Sequence, residues 1–138
     1  MNAKLGLAAL VFGAAVATAT AGTYEISNDP GGNIGQHDTK YAAIAARGDS
    51  IRIVGKCTSA CTLVIHNFQR DKICVSPSGY LGFHIGNDGK GGPSHQATNT
   101  MMNSYPADIV AWIDAKGGLN KPYIFMRAPE IYKYFRQC

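Results

Sequence analysis

Ser59 and His84 are the residues of this chain whose types and placement suit them to a reaction. A serine hydroxyl does not release its proton near neutral pH without a base, and an imidazole is the side chain suited to take it. Ser59 stands in Cys57-Thr58-Ser59-Ala60-Cys61, directly after the β-branched run Ile51-Arg52-Ile53-Val54 and Gly55. That order predicts a strand turning into a helix with Ser59 in its first turn. His84 follows 25 residues later, at the end of a second predicted strand, Tyr80 to Ile85. A third strand-like segment, Thr23 to Ser27, runs into Asn28-Asp29-Pro30-Gly31-Gly32, which is strong turn chemistry. Glycines there let the backbone approach a substrate closely and offer an N–H to a developing oxyanion. Each feature alone has an ordinary explanation: a serine caps a helix, glycines make a turn, a histidine packs on a strand. Their order along the chain is what carries weight.

Several elements must position these residues. Ile34, Tyr41, Ile44 and Ala45 recur at helical spacing before Gly48, so a helix is predicted over residues 33–47. Thr23–Ser27, that helix and Ile51–Val54 form a strand-helix-strand unit of the kind that builds parallel sheets, whose strand ends share a ligand-binding edge. A second helix fits residues 59–67, followed by a strand at 72–75, a turn at Ser76-Pro77-Ser78-Gly79 and the strand that ends near His84. Residues 87–94 read as a glycine-rich surface loop. A later helix is signalled by Ser104 as N-cap, Pro106 in its first turn and Ile109, Trp112 and Ile113 on one face, with Gly117-Gly118 ending it. Residues 123–135 are apolar and aromatic, and Pro129-Glu130 opens a short helix. The expected fold is α/β, a parallel β-sheet with βαβ units in one domain.

Lys4 followed by an apolar stretch from Leu5 to Ala17 and the site Ala19-Thr20-Ala21 reads as a secretory signal peptide, residues 1–21, leaving a domain at 22–138. The apolar stretch is too short to span a bilayer, which takes about 20 residues, so no membrane association is expected after its removal. The net charge of +4 is scattered, with no concentrated basic face for nucleic acid. Gly89-Lys90-Gly91-Gly92 lacks the P-loop pattern, so no nucleotide and no other cofactor are expected. Cys57, Cys61, Cys74 and Cys138 are even in number in a chain expected to be periplasmic or secreted, which favours disulfides, with three connectivities open. A structural zinc site is disfavoured by their spacing, and no metal is expected.

Taken in order, these motifs resemble the ClpP/crotonase-like superfamily, and in particular small periplasmic Clp-like proteins with a Cys-x-Ser-Ala-Cys element. Asn28-Asp29-Pro30-Gly31-Gly32 is similar to the strand-end Ser-Pro-Gly-Gly of that family. Gly55-Lys56-Cys57-Thr58-Ser59-Ala60 looks like its nucleophile turn, and Leu81-Gly82-Phe83-His84 like the strand that delivers its histidine. Met126-Arg127-Ala128-Pro129-Glu130 is similar to its late Ser-Ala-Pro-Glu. The resemblance implies a serine hydrolase, peptidase-like, acting on a peptide or protein. Ser59 is then the nucleophile, His84 the general base, and the N–H groups of Gly32 and Ala60 the oxyanion hole. It also implies a ClpP/crotonase-like fold, trimmed at both ends and without most of the helical handle that stacks rings. A closed ring with an ATPase is therefore not expected, while the sequence leaves an oligomer possible and its state undetermined. The family's aspartate falls shortly before Ala-Pro-Glu, but Leu119 to Met126 contains no acid. Asn120 is the nearest polar substitute, with Asp108 and Asp114 as alternatives. The resembled fold places Cys74 near the serine turn, which implies a bond from Cys74 to Cys57 or Cys61 and leaves the other for Cys138. The competing expectation is a catalytically inactive periplasmic binding or structural protein that retains the serine and histidine.

Overall fold

The structure, a computed structural model, describes Gly13, residues 19–120 and residues 122–138; the expected signal peptide lies almost wholly outside the described residues. Strand β1 (Thr23–Asp29) leads into helix α1 (Ile34–Ala46). Asn33 caps α1 by accepting from the Gln36 N–H at 2.9 Å, and Gly48 takes the left-handed φ of +79° that ends it. Tyr41 and Ile44 face inward. Strand β2 (Ser50–Thr58) then runs parallel to β1, from Thr23 opposite Ser50 to Asp29 opposite Cys57, with a register shift between Ile26 and Asn28. Gly55 sits at that shift because a Cβ there would overlap the Ser27 carbonyl oxygen.

A 3-10 turn (Ser59–Leu63) and the short helix α2 (Val64–Asn67) follow β2. Next come β3 (Ile73–Val75) and β4 (Tyr80–Phe83), joined by the turn at residues 76–79. Both pair with β2: β3 along its first half, at Ile51 to Ile53, and β4 along its second half, at Lys56 to Thr58. The sheet therefore forks at β2. Helices α3 (His95–Ser104) and α4 (Ala107–Ala115) lead to β5 (Ile124–Met126), which pairs antiparallel with β4. A 3-10 turn (Glu130–Lys133) leads to β6 (Arg136–Gln137) beside β3.

This corrects the expected ClpP/crotonase-like parallel sheet of βαβ units. The six-stranded sheet is mixed and curls into a half-barrel with four α-helices among the described residues. Two features of the pairing make the difference. The turn expected at residues 76–79 joins β3 to β4 without a crossover helix, and both strands pair with β2. Ile124-Phe125-Met126 buries Met126 and exposes Phe125, the one-sided pattern of an antiparallel edge strand. Helix α3 was not expected either, since of its polar run only Met101 is buried; Ser94 caps it by accepting from the Ala97 N–H at 3.2 Å. Ser104, expected to cap the following helix, is the last residue of α3, and Pro106 takes the cap position of α4.

The core gathers Ile53, Leu81, Phe83, Ile109, Ile113 and Met126, all essentially inaccessible to solvent. Each such side chain contributes about 1.5–3 kcal/mol on burial. Trp112 closes one side and donates its indole N–H to Glu130 at 2.9 Å. The core thus fixes the ends of β1, β2 and β4, where the chemically interesting residues stand.

Candidate active site

Ser59 follows the last residue of β2 and has φ +58°, the one non-glycine residue in the left-handed region among the described residues. Such a conformation costs on the order of 1–3 kcal/mol and persists only where its surroundings impose it. Here they impose it from three directions. The Cys57–Cys61 disulfide brackets the turn, with Cα atoms 5.3 Å apart. From the α3 side, Thr62 Oγ1 donates to the Ser59 carbonyl at 2.6 Å, and the buried Tyr105 hydroxyl in turn donates to Thr62 Oγ1 at 2.6 Å. From the β1 side, Gly31 packs so closely that an added Cβ would lie 2.6 Å from Ser59 Cβ and from the Thr58 oxygen.

The second disulfide joins Cys74 to Cys138, so the implied pairing of Cys74 with Cys57 or Cys61 is corrected. Since β3 pairs with the first half of β2, Cys74 lies opposite Arg52 on one side and Arg136 of β6 on the other, away from the Ser59 turn.

His84 emerges immediately after β4, and its Nε2 lies 2.7 Å from Ser59 Oγ. The structure thus brings together the two residues singled out from the sequence. Burial holds the imidazole below its ordinary pKa of 6.5, which favours the neutral form that accepts a proton. With the serine O–H donating to Nε2, the ring proton belongs on Nδ1. Among the described residues Nδ1 has no hydrogen-bond partner. Asn120 is exposed and makes no hydrogen bond to His84. Asp108 is engaged by Arg70, at 2.9 and 3.0 Å, and Asp114 is exposed on α4. None of the three expected orienting residues reaches the imidazole. What touches it is Tyr123, whose ring stacks on His84 with centroids 4.5 Å apart and planes 26° apart. Tyr123 lies in the same acid-free stretch as Asn120, and its aromatic alternation with Phe125 was the available signal.

The glycine turn is organised by Asp29, which the sequence showed as a turn residue alone. Its carboxylate accepts from the Gly31 N–H at 2.9 Å, His37 Nε2 at 3.1 Å, Lys40 Nζ at 2.9 Å and the Tyr41 hydroxyl at 3.2 Å. Burial pushes its pKa up, but these hydrogen bonds and the Lys40 charge outweigh it and bring the value down to about 2. The Tyr41 oxygen also lies 3.2 Å from Cys61 Sγ, linking the glycine turn to the disulfide. Gly31 therefore has its N–H committed, while the N–H of Gly32 has no acceptor among the described residues and borders the cleft. The N–H of Ala60 lies in the first turn after β2, where no intrahelical acceptor exists.

The cleft holds about 670 Å³. The glycine turn, Ser59, His84, Gly86 to Gly89, Met101, Tyr105 and Tyr123 line it. Among the described residues no group of three His, Cys, Asp or Glu side chains converges to hold a metal. No described helix is long and apolar enough to cross a membrane. Compared with known proteins, the chain matches no family model and no curated protein.

Proposed function

We propose that this protein is an exported serine hydrolase, peptidase-like, in which Ser59 attacks a substrate carbonyl and His84 is the base. The observation that carries this reading is the 2.7 Å contact between Ser59 Oγ and His84 Nε2, with the serine on a strained turn facing a cleft. As Oγ bonds to the carbonyl carbon, its proton passes to Nε2 and the carbonyl electrons move onto oxygen. The N–H groups of Gly32 and Ala60 receive that charge, and such donors contribute about 3 kcal/mol each. The imidazolium then protonates the leaving amine or alcohol. Water, deprotonated by His84, releases the acyl group and restores Ser59. The motif resemblance to small periplasmic Clp-like proteins supports the same roles. Two disulfides and the apolar N-terminal segment support export to an oxidising compartment.

A second reading, a non-catalytic binding protein, is favoured by one observation: among the described residues no carboxylate meets His84 Nδ1 to steady the imidazole as in a Ser-His-Asp site. A fluorophosphonate probe separates the two. Labelling of the oxidised domain that Ser59→Ala and His84→Ala both abolish is the expected result; a wild-type protein that never labels supports the binding reading.

A further inference from the structure

We infer that Tyr123 is the positioning residue for His84, its ring doing by stacking what a carboxylate does elsewhere by hydrogen bonding. This rests on the reading of Ser59 and His84 as the acting pair. An imidazole held by one hydrogen bond through Nε2 keeps freedom about its broad terminal torsion. A plane laid against its face removes that freedom, and the Tyr123 ring lies against it. The same face favours the imidazolium that forms when Ser59 gives up its proton, since a cation is drawn to the negative face of an aromatic ring.

Tyr123 is itself held in place. Phe125 stacks on it with centroids 5.5 Å apart and planes 5° apart, and Tyr80 braces Phe125 edge-on at 5.8 Å. The Arg127 guanidinium caps the row, 4.8 Å from the Phe125 ring and 3.9 Å from that of Tyr80. Gly82, paired across the strands with Phe125, gives the ring room: a Cβ there would stand 3.0 Å from Phe125 Cε1. The row runs along an edge strand, and Tyr123 and Phe125 stay 40% and 43% exposed, the two large apolar side chains left in solvent among the described residues. Core burial does not explain keeping them there. A buttressed plane beside His84 does.

The test compares Tyr123→Phe, Tyr123→Leu and Tyr123→Ala in the oxidised full domain. Fluorophosphonate labelling rates and the His84 ring-proton resonances are both measured. Phe keeps the plane, so labelling within about twofold of wild type and an unchanged upfield ring-current shift are expected. Leu keeps bulk without a plane, so labelling about fivefold to tenfold slower and loss of that shift are expected. Leu and Ala variants that label like wild type overturn the inference. If wild type does not label at all, the hydrolase reading fails, and the resonances still decide: His84 signals unmoved by Tyr123→Leu overturn the positioning role. If Tyr123→Ala does not fold, the contrast between Phe and Leu decides.

Discussion

Ser59 and His84 face each other across 2.7 Å, yet the molecule holds them by different means. Ser59 is fixed by a disulfide, a two-step hydrogen-bond relay through Thr62 to Tyr105, and a glycine pressed against its backbone. His84 is held by the serine itself and a stacked ring. The strained side is cross-braced because a left-handed serine relaxes unless several groups oppose it. The histidine side carries no such backbone strain and relies on surface aromatics. Damage to the serine side should therefore register in both stability and reactivity, and damage to the histidine side chiefly in reactivity.

The sharpest contrast lies between the two disulfides. Cys74–Cys138 closes a sequence separation of 64 and Cys57–Cys61 one of 4. In the chain-entropy model, losing the first costs about 4 kcal/mol and losing the second about 2 kcal/mol. Reactivity should rank them the other way. Cys74→Ala/Cys138→Ala, kept below its lowered unfolding midpoint, should label at the wild-type rate, while Cys57→Ala/Cys61→Ala should label at least about tenfold more slowly as the turn relaxes. Equal labelling of both variants would break the claim that the short bridge serves the nucleophile.

Gly31→Ala comes next. Its φ of +84° and the 2.6 Å approach to Ser59 Cβ leave no place for a methyl group. A loss of about 3 kcal/mol in denaturant unfolding is expected, together with labelling at least a hundredfold slower. Wild-type labelling in this variant would show that the glycine turn does not hold the serine.

The sequence disclosed the serine half of the site better than the histidine half, and the reason is locality. Asn28 to Gly32 and the strand into Ser59 are short-range patterns whose outcome depends on neighbouring residues, whereas His84 meets Ser59 25 residues on only because β4 pairs with β2. The stacking of Tyr123 on His84 depends instead on β5 lying antiparallel to β4, after two helices. One of those helices, α3, is polar enough to escape a hydrophobic pattern. The sheet is legible only in part for a related reason: the turn at residues 76–79 is local, but nothing in residues 70–85 dictates that β3 and β4 both pair with β2. Asp29 looked like turn chemistry, and its ties to Lys40 and Tyr41 follow from where α1 packs.

Acid should take the two halves apart in sequence. The folded pKa of His84 is lowered, so as pH falls the imidazole stays neutral until below its ordinary 6.5 and then protonates, ending labelling. Asp29 is lowered to about 2 from 3.8. Its contribution is therefore complete above the unfolded value and is lost as pH falls from about 4 towards 2, on the order of 2 kcal/mol. Because the unfolded chain takes up the His84 proton first, stability already begins to decline as pH falls through 6.5; labelling then disappears, and the Asp29-linked loss follows at lower pH. Asp29→Asn should flatten the acid arm of the stability curve and leave the labelling inflection where it is. A labelling profile that instead tracks the Asp29 range would place the essential titration in the glycine turn.

Tyr105→Phe asks for the smallest change. It removes one buried hydroxyl from the relay while Thr62 keeps its donation to the Ser59 carbonyl. About 1 kcal/mol of stability should be lost, with labelling slowed by about twofold to fivefold. Combined with Tyr123→Leu, the two stability losses should simply add, because the side chains belong to opposite supports and Tyr123 is largely exposed. The labelling losses should fall short of the product of the single effects, because serine and imidazole react as one unit and misplacing either already spoils the transfer. Full multiplicativity in labelling would mean that the two supports act on separate steps, and that the stacked ring does something other than hold His84 against Ser59.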